Sequence, residues 1–174
     1  MTLEKIRIRK AGKKDAALIA DLSRKTFYDS VGWYNTAQNM DRFMNDQFSK
    51  EKLIAEVGEK DHIFLLAYLG DQPSAYVKLR ENEPPEPLNK FNTIEIARIY
   101  VAQHAIGLGL GMALIERCVD IARAKNKEVI WLGVWEQNQK AIGFYNHCGF
   151  ERFGEHIFML GNDPQTDWLM KKRL

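Results

Sequence analysis

The chain carries almost no excess charge, only two cysteines and no long apolar run. Its formal net charge is +2, too small to argue for a nucleic-acid or membrane partner. No basic block alternates with aromatics, so no nucleic-acid interface is expected. No apolar stretch is long enough to span a bilayer. The N-terminus, MTLEKIRIRK, is charged and lacks the apolar core of a signal peptide. The expected compartment is therefore the cytoplasm, with Cys118 and Cys148 as reduced thiols. The four histidines, His62, His104, His147 and His156, form no metal spacing with a cysteine or carboxylate, so no metal is expected. Internal repeats and low-complexity segments are missing as well.

What is present is an ordinary soluble composition, 45% hydrophobic and 28% charged over 174 residues. It fits one domain, 1–174, able to bury one sizeable core. The chain is organised around Thr93–Glu116, TIEIARIYVAQHAIGLGLGMALIE. Ile94, Ile96, Ile99 and Val101 suit a buried strand. Gly107, Gly109 and Gly111 alternate with Leu108 and Leu110. Leu110, Leu114, Cys118, Ile121 and Ala122 then fall near helical spacing. The first amides of a helix lack intrahelical partners and carry partial positive charge. Glycines there let a ligand approach the backbone, so the junction suits phosphate. The same glycines also fit a plain strand-to-helix turn. A dinucleotide fingerprint fails, because its third glycine falls on Met112 or Leu114. A P-loop fails because no Lys-Ser or Lys-Thr pair follows.

Along the chain, residues 5–10 read as a half-exposed strand, 13–29 as a helix and 36–48 as a second helix. Ser49 is placed to cap a third helix through Val57, stopped at Gly58. His62–Tyr68 and Ser74–Arg80 read as a hairpin around the turn Gly70–Pro73. Residues 81–92 hold three of the five prolines and three glutamates and read as a loop. Its glutamates either attract a cationic amine or form a solvated face. A helix over about 109–125 and a strand over 128–135 complete a right-handed crossover. Asn138 then opens a short helix, Gly149 fits its left-handed cap, and Phe153–Leu160 and Asp167–Leu174 close the sheet around a 161–165 loop. The expected class is α/β, a mixed sheet with helices packed on it.

Two motifs carry a family resemblance. Gly107-x-Gly109-x-Gly111-x-Ala113-Leu114 after Val101 resembles the acetyl-CoA pyrophosphate loop of the GNAT superfamily of N-acetyltransferases. Asn138-Gln-Lys-Ala141-Ile-Gly-Phe144-Tyr145-Asn-His-Cys-Gly149-Phe150 is similar to its N-x-x-A-x-x-F-Y-x-x-x-G-F signature. One position departs, because Ile106 stands where the family usually has Gln or Arg. The C-terminal stretch His156-x-Phe158-x-Leu160-Gly161-x-Asp163-x-Gln165-x-Asp167 resembles the PaiA-type branch, which includes spermidine/spermine acetyltransferases.

The resemblance implies a mostly antiparallel sheet whose fourth and fifth strands are parallel, and acetyl transfer from acetyl-CoA to an amine. It implies acetyl-CoA contacts at Ile99, Tyr100, Val101, Gly107, Leu108, Gly109, Leu110, Gly111, Met112, Asn138, Lys140 and Tyr145. Tyr145 falls at the family's usual general acid, and a phenol with pKa near ~10 stays protonated at neutral pH and can reprotonate a thiolate. A core tyrosine beside Phe144 is the alternative. Glu95 is a candidate base, on the face of Ala97 and Ile99 if the strand has no bulge; Glu136 is the other candidate. Asn138 serves the cofactor, a helix cap, or both. Cys148 has no evident activating base nearby for a covalent route. Tyr28, Trp33 and Tyr34 lie where family members vary most and are candidates for acceptor binding, or ordinary packing aromatics. The acceptor expected is a small amine such as a polyamine. A protein or peptide amine, or a non-catalytic acyl-CoA-binding module, is the alternative. A homodimer is implied by resemblance alone.

Overall fold

The computed structural model describes residues 5–174. Met1 to Glu4, part of the charged N-terminus, lie outside the described residues. Seven strands form one sheet: β1 (Ile6–Lys10), β2 (His62–Leu69), β3 (Gln72–Arg80), β4 (Thr93–Val101), β5 (Val129–Trp135), β6 (Glu151–Leu160) and β7 (Asp163–Arg173). Their order is β1-β2-β3-β4-β5-β7-β6. Every neighbouring pair is antiparallel except β4 and β5. Helices α1 (Ala16–Val31), α2 (Ala37–Asp46) and α3 (Lys50–Glu56) lie between β1 and β2, α4 (Leu110–Ala124) joins β4 to β5, and α5 (Gln139–His147) joins β5 to β6. This is the mixed α/β arrangement expected, with its parallel pair in place.

The helices divide between the two faces of the sheet. On one, here face A, α4 presents Leu110, Leu114, Cys118 and Ala122 to Ile94, Ile96, Ile130 and Leu132, all buried. On the other, face B, α1, α2 and the chain leading to α3 bring Phe27, Phe43 and Phe48 together, with ring centroids 4.8 to 5.4 Å apart. This cluster reaches Tyr100 of β4 at 6.2 Å and Phe158 of β6 at 5.7 Å. Burying each such side chain contributes about 1.5–3 kcal/mol. Side-chain caps start two of these helices. Thr36 accepts from the Asn39 amide at 3.1 Å, and Ser49 accepts from the Lys52 amide at 3.4 Å.

An ion pair anchors α3 on face B. Glu56 accepts two 2.8 Å bonds from Arg98 and lies 3.2 Å from Lys78. Burial works to raise the Glu56 carboxyl, but the Arg98 fork outweighs it and holds the group below the usual carboxylate range. Lys78 is almost fully buried, and that burial holds its ammonium below the usual lysine value.

Four boundaries differ from the sequence expectation. Lys13–Asp15 form a 3₁₀ turn before α1, because Asp15 is drawn back by the Arg9 guanidinium at 2.8 and 2.9 Å. The β2–β3 turn is tighter than Gly70–Pro73, and Pro73 lies inside β3 at a register shift, where no ladder donor is needed. The proline-rich segment includes a 3₁₀ turn at Glu86–Leu88, whose Leu88 is fully buried against Val129, Trp131 and Leu169. The closing strands are longer than expected and meet in a two-residue turn, Gly161–Asn162, with Pro164 already paired to Met159.

Candidate active site

The sheet opens at its centre. β4 pairs with β5 only from Thr93↔Val129 to Ile96↔Leu132. Past that point β4 keeps β3 and β5 keeps β7, and the two parallel strands part. Burial follows: the first four residues of β4 are buried and the last five only half-buried. A bulge marks the change. Leu79 pairs with Ile96 and Lys78 with Arg98, so Ala97 is the extra residue.

The bulge exchanges the faces of the strand. Before it, Ile94 and Ile96 point into the face A core; after it, Ile99 and Val101 do. Glu95, Arg98 and Tyr100 lie on face B, opposite Arg80, Lys78 and Tyr76. The expectation that Glu95 shares a face with Ile99 is therefore corrected. The same strand fixes its free edge. The Ala102 amide donates to Ser74 on the β3 side at 2.8 Å. Backbone groups alternate along a strand, so the amides of Val101 and Ile99 point the other way, into the opening.

Beyond β4 the chain enters the glycine loop. Gly107 and Gly109 have φ of +82° and +94°, values that side-chain-bearing residues rarely adopt. Gly109 caps α4 without a side-chain hydrogen bond. The first capping bond of the turn is Ala113 N–H to the Gly109 carbonyl at 3.1 Å. Among the described residues, the amides from Gly107 to Met112 have no acceptor. A Cβ on Gly107 would meet nothing within 4 Å. The loop is thus an open row of donors at a positive helix end, suited to a multiply charged anion. Leu108 and Ile106 are about half-exposed beside it. Gly111 serves packing instead. A Cβ there would stand 3.2 Å from Phe144, so its absence lets α4 and α5 approach closely.

Helix α5 begins at the end of β5, on the other bank of the opening. Asn138 caps it, its Oδ1 accepting from the Ala141 amide at 3.1 Å, and its NH₂ has no partner among the described residues. Lys140 is exposed on the first turn. Tyr145 packs beside Phe144 and Phe150, with centroids at 5.5 and 6.0 Å. Its hydroxyl has no partner among the described residues, yet it is not among the sealed polar atoms. Burial pushes its pKa up, so the phenol keeps its proton. The buried thiols are likewise pushed up by burial, Cys118 to about 12, so neither is an activated nucleophile.

On face B, Glu95 Oε2 accepts from Arg80 at 2.7 and 2.9 Å, and Oε1 has no partner among the described residues. Farther across, a row was missed by sequence reasoning. Trp135, Asp167 and His156 stand directly opposite one another on β5, β7 and β6. Gly133, beside them, is exposed although it lies on a central strand. Tyr34 packs edge-on against Trp135 at 5.1 Å. Neighbouring Asn35 accepts from Gln165 of β7 at 2.6 Å, tying this segment over the row. Trp33 is 81% exposed, and Tyr28 is exposed beside Gly32. Of the three candidate acceptor aromatics, Tyr34 alone touches this row among the described contacts. Glu136 is half-buried at the end of the opening, its amide bonded to the Thr166 carbonyl at 3.0 Å. The acidic loop lies at the opposite end of β4, and its Glu81 is paired with Lys125 at 2.8 Å and Lys127 at 3.0 Å.

Among the described residues, no helix is long and apolar enough to cross a membrane. No group of three potential metal ligands occurs among them. The family model for the acetyltransferase (GNAT) family matches residues 24–150. An uncharacterized N-acetyltransferase in the pepI 3′ region of Lactobacillus delbrueckii subsp. lactis is 36% identical over 97% of this chain and 98% of its own length. The fold is similar to that of the PaiA N-acetyltransferase of Thermoplasma acidophilum in complex with coenzyme A (TM-score 0.78, 21% identity, 98% of this chain and 99% of that one). It is also similar to YncA of Salmonella typhimurium, an acetyltransferase by its description, with acetyl-CoA (TM-score 0.71, 22% identity, 98% and 94%).

Proposed function

The chain belongs to the GNAT acetyltransferase family, and from that premise we propose that it transfers acetyl from acetyl-CoA to a small primary amine, a polyamine or similar compound. The observation that carries this is the opening between β4 and β5. It holds a free strand edge, ends in a row of unpartnered helix amides and is bordered by a protonated tyrosine. An extended thioester ligand with a pyrophosphate needs all three. Coenzyme A and acetyl-CoA in the two solved relatives support the choice of ligand.

The residues divide the work. Amides of Gly107 to Met112 hold the pyrophosphate, and Lys140 and the Asn138 NH₂ reach the same ligand from α5. The free edge at Ile99, Tyr100 and Val101 pairs with the pantetheine arm, and its inward amides stabilise the carbonyl oxygen as charge develops. The acceptor arrives as an ammonium with pKa near ~10.4 and must lose a proton before its lone pair attacks. Glu95 Oε1 accepts it, directly or through water. The nitrogen attacks the thioester carbon, the C–S bond breaks, Tyr145 gives its proton to the departing thiolate, and the acylated nitrogen sheds its remaining extra proton, which water carries back to the Tyr145 phenolate. Trp33 and Tyr28 line the approach to Tyr34. A cytoplasmic location belongs to this proposal through the sequence's lack of a bilayer-length apolar run, and a homodimer through the resemblance alone.

Thiol release from acetyl-CoA is the test, measured with spermidine, spermine, putrescine, amino acids and short peptides, beside calorimetric titration of acetyl-CoA. Turnover on polyamines is expected. Turnover on peptides alone would move the acceptor to protein amines. Binding without turnover would leave an acyl-CoA-binding module.

A further inference from the structure

Face B around β4 carries five charged side chains on β3, β4 and α3, and each has an opposite charge beside it. Arg98 and Lys78 engage Glu56, and Arg80 engages Glu95. Asp167 does not share in this. Its side chain is only 18% exposed, and among the described residues no lysine or arginine comes within ion-pair distance. Its basic neighbour among the described residues is His156, whose Nε2 stands 3.8 Å away, too far for a hydrogen bond. A desolvated carboxylate without a fixed cation is costly unless a ligand supplies one.

The surroundings define that ligand. Gly133 provides a floor without a side chain, since a Cβ there would lie 3.6 Å from Asp167 Oδ2 and 3.3 Å from His156 Cε1. Trp135 stands beside Asp167 on the same sheet face, and Tyr34 packs against Trp135. Aromatic walls with a carboxylate favour an organic cation, because ring faces attract positive charge while burying alkyl surface. Trp135 and Asp167 pair beyond Leu132, past the point where β4 and β5 part, so the carboxylate lies on the open side of the sheet.

We propose that Asp167, walled by Trp135 and Tyr34 over Gly133, is the subsite that holds an alkylammonium group of the acceptor. The ligand class rests on the amine-acetyltransferase assignment above; the site itself rests on the unpaired carboxylate and its walls.

The test is calorimetric titration of spermidine into the full chain with coenzyme A bound, for the unaltered protein, Asp167→Asn and Asp167→Glu. Asp167→Asn should weaken spermidine about tenfold or more, and Asp167→Glu less than about threefold, with acetyl-CoA affinity held in both. Equal spermidine affinity in the unaltered protein and Asp167→Asn overturns the subsite, as does no spermidine binding by the unaltered protein at millimolar concentration. If Asp167→Asn also loses acetyl-CoA, its fold is damaged and Trp135→Leu decides: weaker spermidine binding supports the subsite and unchanged binding overturns it. Turnover separates the two proposals. Amine turnover with unchanged amine KM in Asp167→Asn removes the subsite alone. Spermidine binding that depends on Asp167, without acetylation of any amine, removes the acceptor assignment and leaves the subsite.

Discussion

Between Thr93 and Ile96, β4 pairs with β5, joined by β3 on its other side from Glu95 onward, and every residue is buried; between Ala97 and Val101 it keeps β3 alone and every residue is half-exposed. The same strand thus does two kinds of work. Its closed half is held by the crossover through α4, and its hydrogen bonds and methyl groups are spent on the core. Its open half leaves backbone donors and acceptors for a ligand. A strand edge left unpaired inside a sheet invites pairing with another extended chain. Here α4 and α5 start on the two banks and restrict what can enter.

Three measurements break or sharpen this contrast. The largest effect is expected at the open half. Tyr145→Phe should lower turnover about 100- to 10,000-fold while acetyl-CoA affinity by calorimetry changes less than about threefold. Unchanged turnover would remove the acid role. The next effect belongs to the closed half. Ile96, 2% exposed, should cost about 2–5 kcal/mol when replaced by alanine. Ile99→Ala, on the half-buried end, should cost less than half as much in urea denaturation. Equal losses would mean that the open half supports the core as strongly as the closed one. The smallest effect is expected at the loop. Gly109→Ala forces a side chain into φ of +94°, at a cost of about 1–2 kcal/mol. It should weaken acetyl-CoA several-fold with little change in amine KM; an affinity unchanged by the substitution would exclude the Gly109 conformation from ligand binding.

Much of this division was legible in the sequence. The glycine loop, the two parallel strands around it and the helix carrying Tyr145 announce themselves by local pattern, because each is built within some twenty residues. The bulge at Ala97 was missed, although it left a trace. The apolar positions pass from even, Ile94 and Ile96, to odd, Ile99 and Val101, and a regular strand cannot turn both pairs to one face. The closing turn is shorter than its sequence suggests, because Asp163, Pro164 and Gln165 have the composition of a loop. In fact Pro164 falls within β7 near the tip of the hairpin, where the ladder tolerates it. Of the Trp135–Asp167–His156 row, His156 and Asp167 stand in the PaiA-like stretch, but nothing local joins them to each other or to Trp135. The row exists only through the register of three strands, and register depends on the pairing of segments far apart in the chain.

The two faces of the sheet carry a further consequence. The glycine loop and Tyr145 belong to the helices of face A, while Tyr34 and the Asp167 row belong to face B. The sheet between them is common to both. Under the proposed assignment, mutation and selection can therefore rework one reactant's surface through α1, α2 and the closing hairpin while the other's is inherited unchanged. A lineage built on this plan can diversify its acceptors without having to reinvent its donor.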